Sequence, residues 1–237
     1  MKRIVTHLII LQEELQQLAD SKQKEILQRF FKTGVGEYGE GDVFLGIKVP
    51  VQRKVAKKYQ TLLSLVDIET LLKSKIHEYR FTALILLEHC YQKADDKKTF
   101  FNFYIHNTQY INNWDLVDIS APKIVGDYLL DKPRDILYQF ARSHSLWEKR
   151  IAIIATMTFI KQNDFTDTLK LAKILLNDKQ DLIHKAVGWM LREVGKRDLD
   201  VEESFLKRHY QQMPRTMLRY ALEKFDVPKR NFYLKKQ

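Results

Sequence analysis

Arg150-Ile151-Ala152-Ile153-Ile154 sets a basic residue ahead of an alanine embedded in apolar positions. The pattern returns as Arg80-Phe81-Thr82-Ala83-Leu84-Ile85, as Lys185-Ala186-Val187 and as Arg219-Tyr220-Ala221-Leu222. The alanines at 83, 152, 186 and 221 are spaced by 69, 34 and 35 residues, and the first gap is about two periods. Asp118-Ile119-Ser120-Ala121 stands near the middle of that gap. A period of this size in helical sequence means stacked two-helix repeats, in which a small alanine permits close helix contact. The polar residue ahead of each alanine would then lie on one repeated face. That face is basic at Arg80, Arg150, Lys185 and Arg219 and acidic only at Asp118. The fold expected is all-α, an α-α superhelix whose stacked faces form a concave basic groove.

The flanking sequence agrees. Residues 62–72, 81–91, 100–105, 151–160, 169–176 and 187–194 carry apolar side chains at i, i+3/i+4 spacing. Polar links such as Asn163-Asp164 and Asn177-Asp178 separate them, and Asp95-Asp96-Lys97-Lys98 reads as a solvated helix start. Pro50, Pro133 and Pro214 stand where first helical turns are expected, and Pro228 opens a last short helix. Gly34, Gly36, Gly39, Gly41 and Gly46 fall in one loop. Neither a β-hairpin signal nor strand–helix alternation is present. A single domain over residues 1–237 is expected, with 1–75 holding the N-terminal helices and the glycine-rich loop, and 76–237 the helical repeats.

The formal net charge is +10, and residues 205–237 carry nine Lys/Arg against two Asp/Glu. A polyanion is the natural partner. The lone cysteine, Cys90, excludes an internal disulfide, fits a reducing cytoplasm and reads as a core residue. The N-terminus lacks the uninterrupted apolar run of a signal peptide and reads as an amphipathic helix. No stretch approaches the length of a membrane span.

The three tryptophans lie close to the repeated face. Trp114 is four residues before Asp118, so both share a helix side; Trp189 is four after Lys185 and three before Arg192. Trp147, three before Arg150, reads as core. Cations interleaved with aromatics suit nucleic acid, since cations neutralise phosphates and indoles pack on sugars or cationic bases.

Trp114-Asp115-Leu116-Val117-Asp118, Leu146-Trp147-Glu148-Lys149-Arg150-Ile151-Ala152 and Lys185-Ala186-Val187-Gly188-Trp189-Met190-Leu191-Arg192-Glu193 resemble the signature blocks of AlkD-type alkylpurine DNA glycosylases. Phe44-Leu45-Gly46-Ile47-Lys48-Val49-Pro50 resembles that family's N-terminal block. The resemblance runs from about residue 25 to the C-terminus. It implies HEAT-like repeats around duplex DNA, with Asp118, Trp114 and Trp189 lining the lesion site. Arg150 would contact DNA beside them, Lys185 would hold phosphates, and Arg192, Arg219, Arg80 and Tyr38 join them as expected DNA-binding residues. Asn113 stands where the family pattern often has another tryptophan.

Glycoside hydrolysis normally uses two carboxyl groups. A purine alkylated at N3 or N7 is already cationic and leaves without a proton donor, so Asp118 alone would suffice, stabilising the oxocarbenium-like sugar. The resemblance further implies chemistry without base flipping. A cytoplasmic, monomeric, monofunctional glycosylase is expected, without metal or small-molecule cofactor, acting on double-stranded DNA containing alkylated bases. A non-catalytic binder of branched or bent DNA, and a protein-interaction scaffold, remain open alternatives. Gly34-Val35-Gly36-Glu37-Tyr38-Gly39 matches GxGxxG, but no strand precedes it, and Glu37, Glu40 and Asp42 would repel phosphate.

Overall fold

Helix signals in the sequence become helices in the computed structural model, which describes residues 6–235. Helices α1 (His7–Gln17), α2 (Ser21–Phe30), α3 (Val49–Tyr59), α4 (Leu65–Leu72), α5 (His77–Lys93), α6 (Lys97–His106) and α7 (Trp114–Ala121) come first. They are followed by α8 (Asp135–Ala141), α9 (Leu146–Ala155), α10 (Met157–Lys161), α11 (Thr166–Ile174) and α12 (Asp181–Gly195). The last are α13 (Leu199–His209), α14 (Arg215–Ala221) and α15 (Val227–Leu234). Among the described residues the chain is all-α, and its β structure is limited to an isolated parallel bridge between Val43 and Ile76. None of these helices is long and apolar enough to cross a membrane. Short polar side chains start many of them, as the N-cap rule requires. Asp20 caps α2, Asp96 caps α6, Ser145 caps α9, Asp198 caps α13 and Asp226 caps α15. Ser64 and Asp67 close a capping box on α4. The N-terminal amphipathic helix begins at His7, and residues 1–5 of that expectation lie outside the described residues.

The chain divides into two compact units, Met1–Ser120 and Ala121–Gln237. Residue 76 falls in a tightly joined region of the first unit. Val43 bonds the backbone on both sides of it, its N–H donating to the Lys75 carbonyl and its carbonyl accepting the His77 N–H. The buried Glu78 carboxylate accepts the N–H groups of Leu45, Gly46 and Ile47 at 2.9, 2.8 and 3.2 Å. Gly46 must be glycine: its φ is +90°, and a Cβ there would lie 2.1 Å from the Asp20 carbonyl oxygen. Glu37 and Glu40 occupy the Gly34 and Gly36 amides at 2.9 and 2.8 Å, so these glycine-loop donors are already taken by the chain's own acids.

In the second unit α9, α12 and α14 form a row, α9 packing on α12 and α12 on α14. Helix α8 packs on α9, α11 on both α9 and α12, and α13 on α12. The repeat alanines are where this packing needs them: Ala83, Ala121, Ala152, Ala186 and Ala221 are all fully buried. The helix read through 151–160 breaks at Thr156, whose hydroxyl bonds the Ile153 carbonyl at 2.7 Å and competes with helix continuation.

Candidate functional site

Helix α7 carries the first half of the constellation, in the first unit. Asn113, fully buried, starts it: its Oδ1 accepts the Trp114 N–H at 2.8 Å, and its Nδ2 donates to Asp42 Oδ2 at 3.2 Å. An indole has no acceptor, so the departure at 113 has a structural reason. Leu116, Val117, Ser120 and Ala121 face inward and are buried. Trp114 and Asp118 share the other side and are both half-buried. Behind Trp114 runs an aromatic stack. Its ring lies 5.2 Å from Phe31 at 13°, Phe31 lies 5.0 Å from Phe44, and Phe44 lies 4.5 Å from His77 at 20°. Phe30, exposed, meets the Trp114 ring edge-on at 5.9 Å. Below Asp118, Tyr104 is buried and bonded to Ser120 at 3.0 Å. Burial and the Asp118 charge hold its phenol above the ordinary pKa.

A buried charge cluster underlies the same turn. His77 Nε2 is 2.8 Å from Asp115 Oδ2, and its Nδ1 is 3.3 Å from Asp42 Oδ2. Arg80 Nη2 lies 2.7 Å from the same Asp42 oxygen, while its Nη1 donates to the Ser74 carbonyl at 2.9 Å. Burial opposes charge on His77, but Asp115 and Asp42 outweigh it and push its pKa up to about 9. Asp42 is held below the ordinary carboxylate value, burial being outweighed by His77, Arg80 and Asn113.

The second unit carries the rest. On α12 the half-buried Trp189 donates its indole N–H to Glu193 Oε1 at 3.0 Å. Lys196 Nζ lies 2.7 Å from that same oxygen, and Arg192 pairs with Glu223. The preceding Gly188 lets α14 approach, since a Cβ there would sit 2.4 Å from the Met217 carbonyl oxygen. Lys185, paired with Asp181 at 2.7 Å, lines an open depression with Thr216, Arg219, Tyr220 and Arg230. Below Trp189's helix, Glu202 is buried against Gly195. Burial raises its pKa to about 8, with Arg192 opposing the rise and Glu193 adding to it.

A family model described as DNA alkylation repair enzyme matches residues 11–225. The chain belongs to this family. A solved structure described as a predicted DNA alkylation repair enzyme from Enterococcus faecalis is similar in fold, with a TM-score of 0.71 at 18% identity. The match covers 88% of this chain and 97% of that one. No curated protein matches the sequence.

Measured against the expectations for a DNA alkylation repair enzyme, the site residues fall into two groups. Asp118, Trp114, Trp189, Lys185, Arg192 and Arg219 all retain some exposure. Arg80 does not: at 3% exposure and ion-paired with Asp42, it is an internal cation rather than a phosphate contact. Arg150 is also buried, at 4%, donating to the Leu182 carbonyl at 2.6 Å. Spacing from the alanine does not decide this, since Arg150 and Arg219 both stand two positions before theirs and only Arg219 is exposed. What the two buried cations have in common is a partner from elsewhere in the chain, Asp42 for Arg80 and the Leu182 carbonyl for Arg150. Tyr38 sits in the loop, its hydroxyl donating to the Phe30 carbonyl at 3.4 Å. Trp147 is half-buried rather than core, and so is Cys90. Sequence reasoning passed over His77, Asp42 and Asp115 as a group. Separations of 35 and 38 residues leave no local signature, although Asp115 lies inside the tryptophan block itself.

Proposed function

We propose that this member of the DNA alkylation repair enzyme family is a monofunctional DNA glycosylase that hydrolyses the N-glycosidic bond of cationic N3- or N7-alkylated purines in duplex DNA. The observation that carries the reading is the face of α7, where Asp118 and Trp114 stay half-buried while their neighbours Leu116, Val117, Ser120 and Ala121 are sealed in the core. The alkylated base leaves as a neutral purine when the C1′–N bond breaks, so no general acid is needed. Asp118 stabilises the positive charge that develops on the sugar and orients the water that adds to C1′. Trp114 packs against the sugar and shields it, with cation–π attraction to the charged nucleotide. Trp189 packs on the nucleotide backbone, and Lys185, Arg192 and Arg219 neutralise phosphates. Solenoid wrapping of the duplex and reaction without base flipping complete the proposal.

Release of free 3-methyladenine and 7-methylguanine from N-methylated duplex DNA tests it. The wild-type chain is expected to release both, and Asp118→Asn to lose at least roughly 100-fold in rate while keeping duplex affinity. Duplex binding without release from the wild-type chain would instead support a non-catalytic DNA-structure binder.

A further inference from the structure

The cluster under the first turn of α7 has no part in the chemistry just described, yet it grips the helix that carries it. His77 presents both ring nitrogens to carboxylates, Asp115 Oδ2 at 2.8 Å and Asp42 Oδ2 at 3.3 Å. Ionised carboxylates only accept hydrogen bonds, so both nitrogens must carry protons and the ring is an imidazolium. We propose that His77 is a positioning residue, a protonated clamp between the loop holding Asp42 and the first turn of α7, that fixes Trp114 and Asp118 for base excision. The inference rests on the glycosylase reading for its catalytic consequence, but not for the clamp itself.

Two routes lead from His77 to Trp114. One is covalent, because Asp115 is the next residue in the chain. The other is packing: His77 touches Phe31 at 5.0 Å, and Phe31 stacks on the indole at 5.2 Å. The charged groups facing the imidazole are Asp42 from the loop, Asp115 from α7 and Arg80 from its own helix α5. Phe31 and Phe44 cover it with apolar surface. Within this cluster two anions, Asp42 and Asp115, face two cations, His77 and Arg80, while the neighbouring Glu78 carboxylate is taken up by the backbone N–H groups of Leu45, Gly46 and Ile47. Removing the His77 proton leaves Asp42 and Asp115 with one cation between them and breaks one of the two hydrogen bonds. Buried networks of this kind are costly when partly satisfied, so α7 is expected to shift. The ring is protonated up to about pH 9, so the clamp holds at neutral pH and opens in alkali.

The experiment uses the full chain with Trp147 and Trp189 replaced by Phe, so that emission excited at 295 nm reports Trp114. That emission is expected to change with a midpoint near pH 9. His77→Gln should abolish the change, and Asp115→Asn, which keeps the shape but removes one anion, should move the midpoint to lower pH. In otherwise wild-type protein, single-turnover release of 7-methylguanine should fall over the same range. His77→Gln should slow it by roughly tenfold or more at neutral pH, without a matching loss of affinity for unmodified duplex. Trp114 emission that stays flat from pH 7.5 to 10.5, or Asp115→Asn leaving the midpoint unmoved, overturns the clamp, and the Asp115→Asn result decides if His77→Gln does not fold. A wild-type chain that shows the emission change and releases no base leaves the clamp standing and overturns only the glycosylase reading.

Discussion

Trp114 and Trp189 are the same residue type on the two units, but they are held by opposite means. Trp114 is held by packing: Phe31 lies nearly parallel to it, and the stack continues through Phe44 to a buried, charge-balanced cluster. Trp189 is held by polarity. Its indole N–H reaches Glu193, which also bonds Lys196 on the exposed side of α12. What packing does near Trp189 is done by the absence of a side chain at Gly188, which brings α14 close. The difference teaches that exposure alone does not rank site residues. Half-buried in both cases, one indole is fixed by groups insulated from salt, and the other by charges that salt reaches.

Removing a plate of the stack should give the largest effect. Phe31 is 7% exposed and touches Phe30, Phe44, His77 and Trp114. Phe31→Ala leaves a cavity and is expected to cost about 3–4 kcal/mol of stability, read from urea unfolding. Trp114 emission should shift at the same time. A loss below 1 kcal/mol would mean that packing is not what holds the first unit's indole.

Titration gives a second, smaller contrast. His77 and Glu202 both have folded pKa values above their ordinary ones, about 9 against 6.5 and about 8 against 4.5. Raised values have one sign in both cases. The contribution is fully present below the unfolded pKa and is lost as pH rises through the folded one. Stability tied to His77 therefore declines between about pH 6.5 and 9, and that tied to Glu202 between about pH 4.5 and 8. At pH 7 most of the Glu202 contribution is already lost, whereas most of the His77 contribution is still present. Glu202→Gln, which keeps the shape without the charge, is expected to add on the order of 2 kcal/mol at pH 7.5 and almost nothing at pH 4.5. Equal effects at both pH values would remove titration from the comparison.

Legibility in the sequence divides along the same line. Local, periodic information survived: the all-helical class, the buried repeat alanines, the loop links and the prolines near helix starts all follow from spacings of a few residues. Pro50 and Pro228 lie in the first turns of α3 and α15. That Trp114 and Asp118 share the less buried face of α7 was legible because i and i+4 lie on one side of a helix. The buried cations were not. Arg150 and Arg219 stand at the same spacing from a buried alanine, and only a partner 32 residues away, the Leu182 carbonyl, distinguishes the inward guanidinium. The His77 clamp was hidden for another reason: its partners come from a loop and from a later helix, and no periodicity links them.

The smallest expected effect probes the polar side. Glu193→Ala removes the acceptor of the Trp189 indole, whereas Glu193→Gln keeps an acceptor oxygen and removes only the charge. Because Trp189 is half-exposed, water can replace the lost bond, and Glu193→Ala should cost only about 1 kcal/mol. Glu193→Gln should cost less. On the proposed reading both variants also remove a negative charge beside Arg192 and Lys196. Both should therefore bind unmodified duplex more tightly at low salt, with the gain fading as salt rises. Fluorescence anisotropy over a salt series separates the two effects. If Glu193→Ala destabilised the protein as much as Phe31→Ala, Trp189 too would be held by a group that water cannot replace, and the contrast between the two indoles would be lost. If the charge change left the salt dependence of binding unaltered, α12 would not face the phosphates at all.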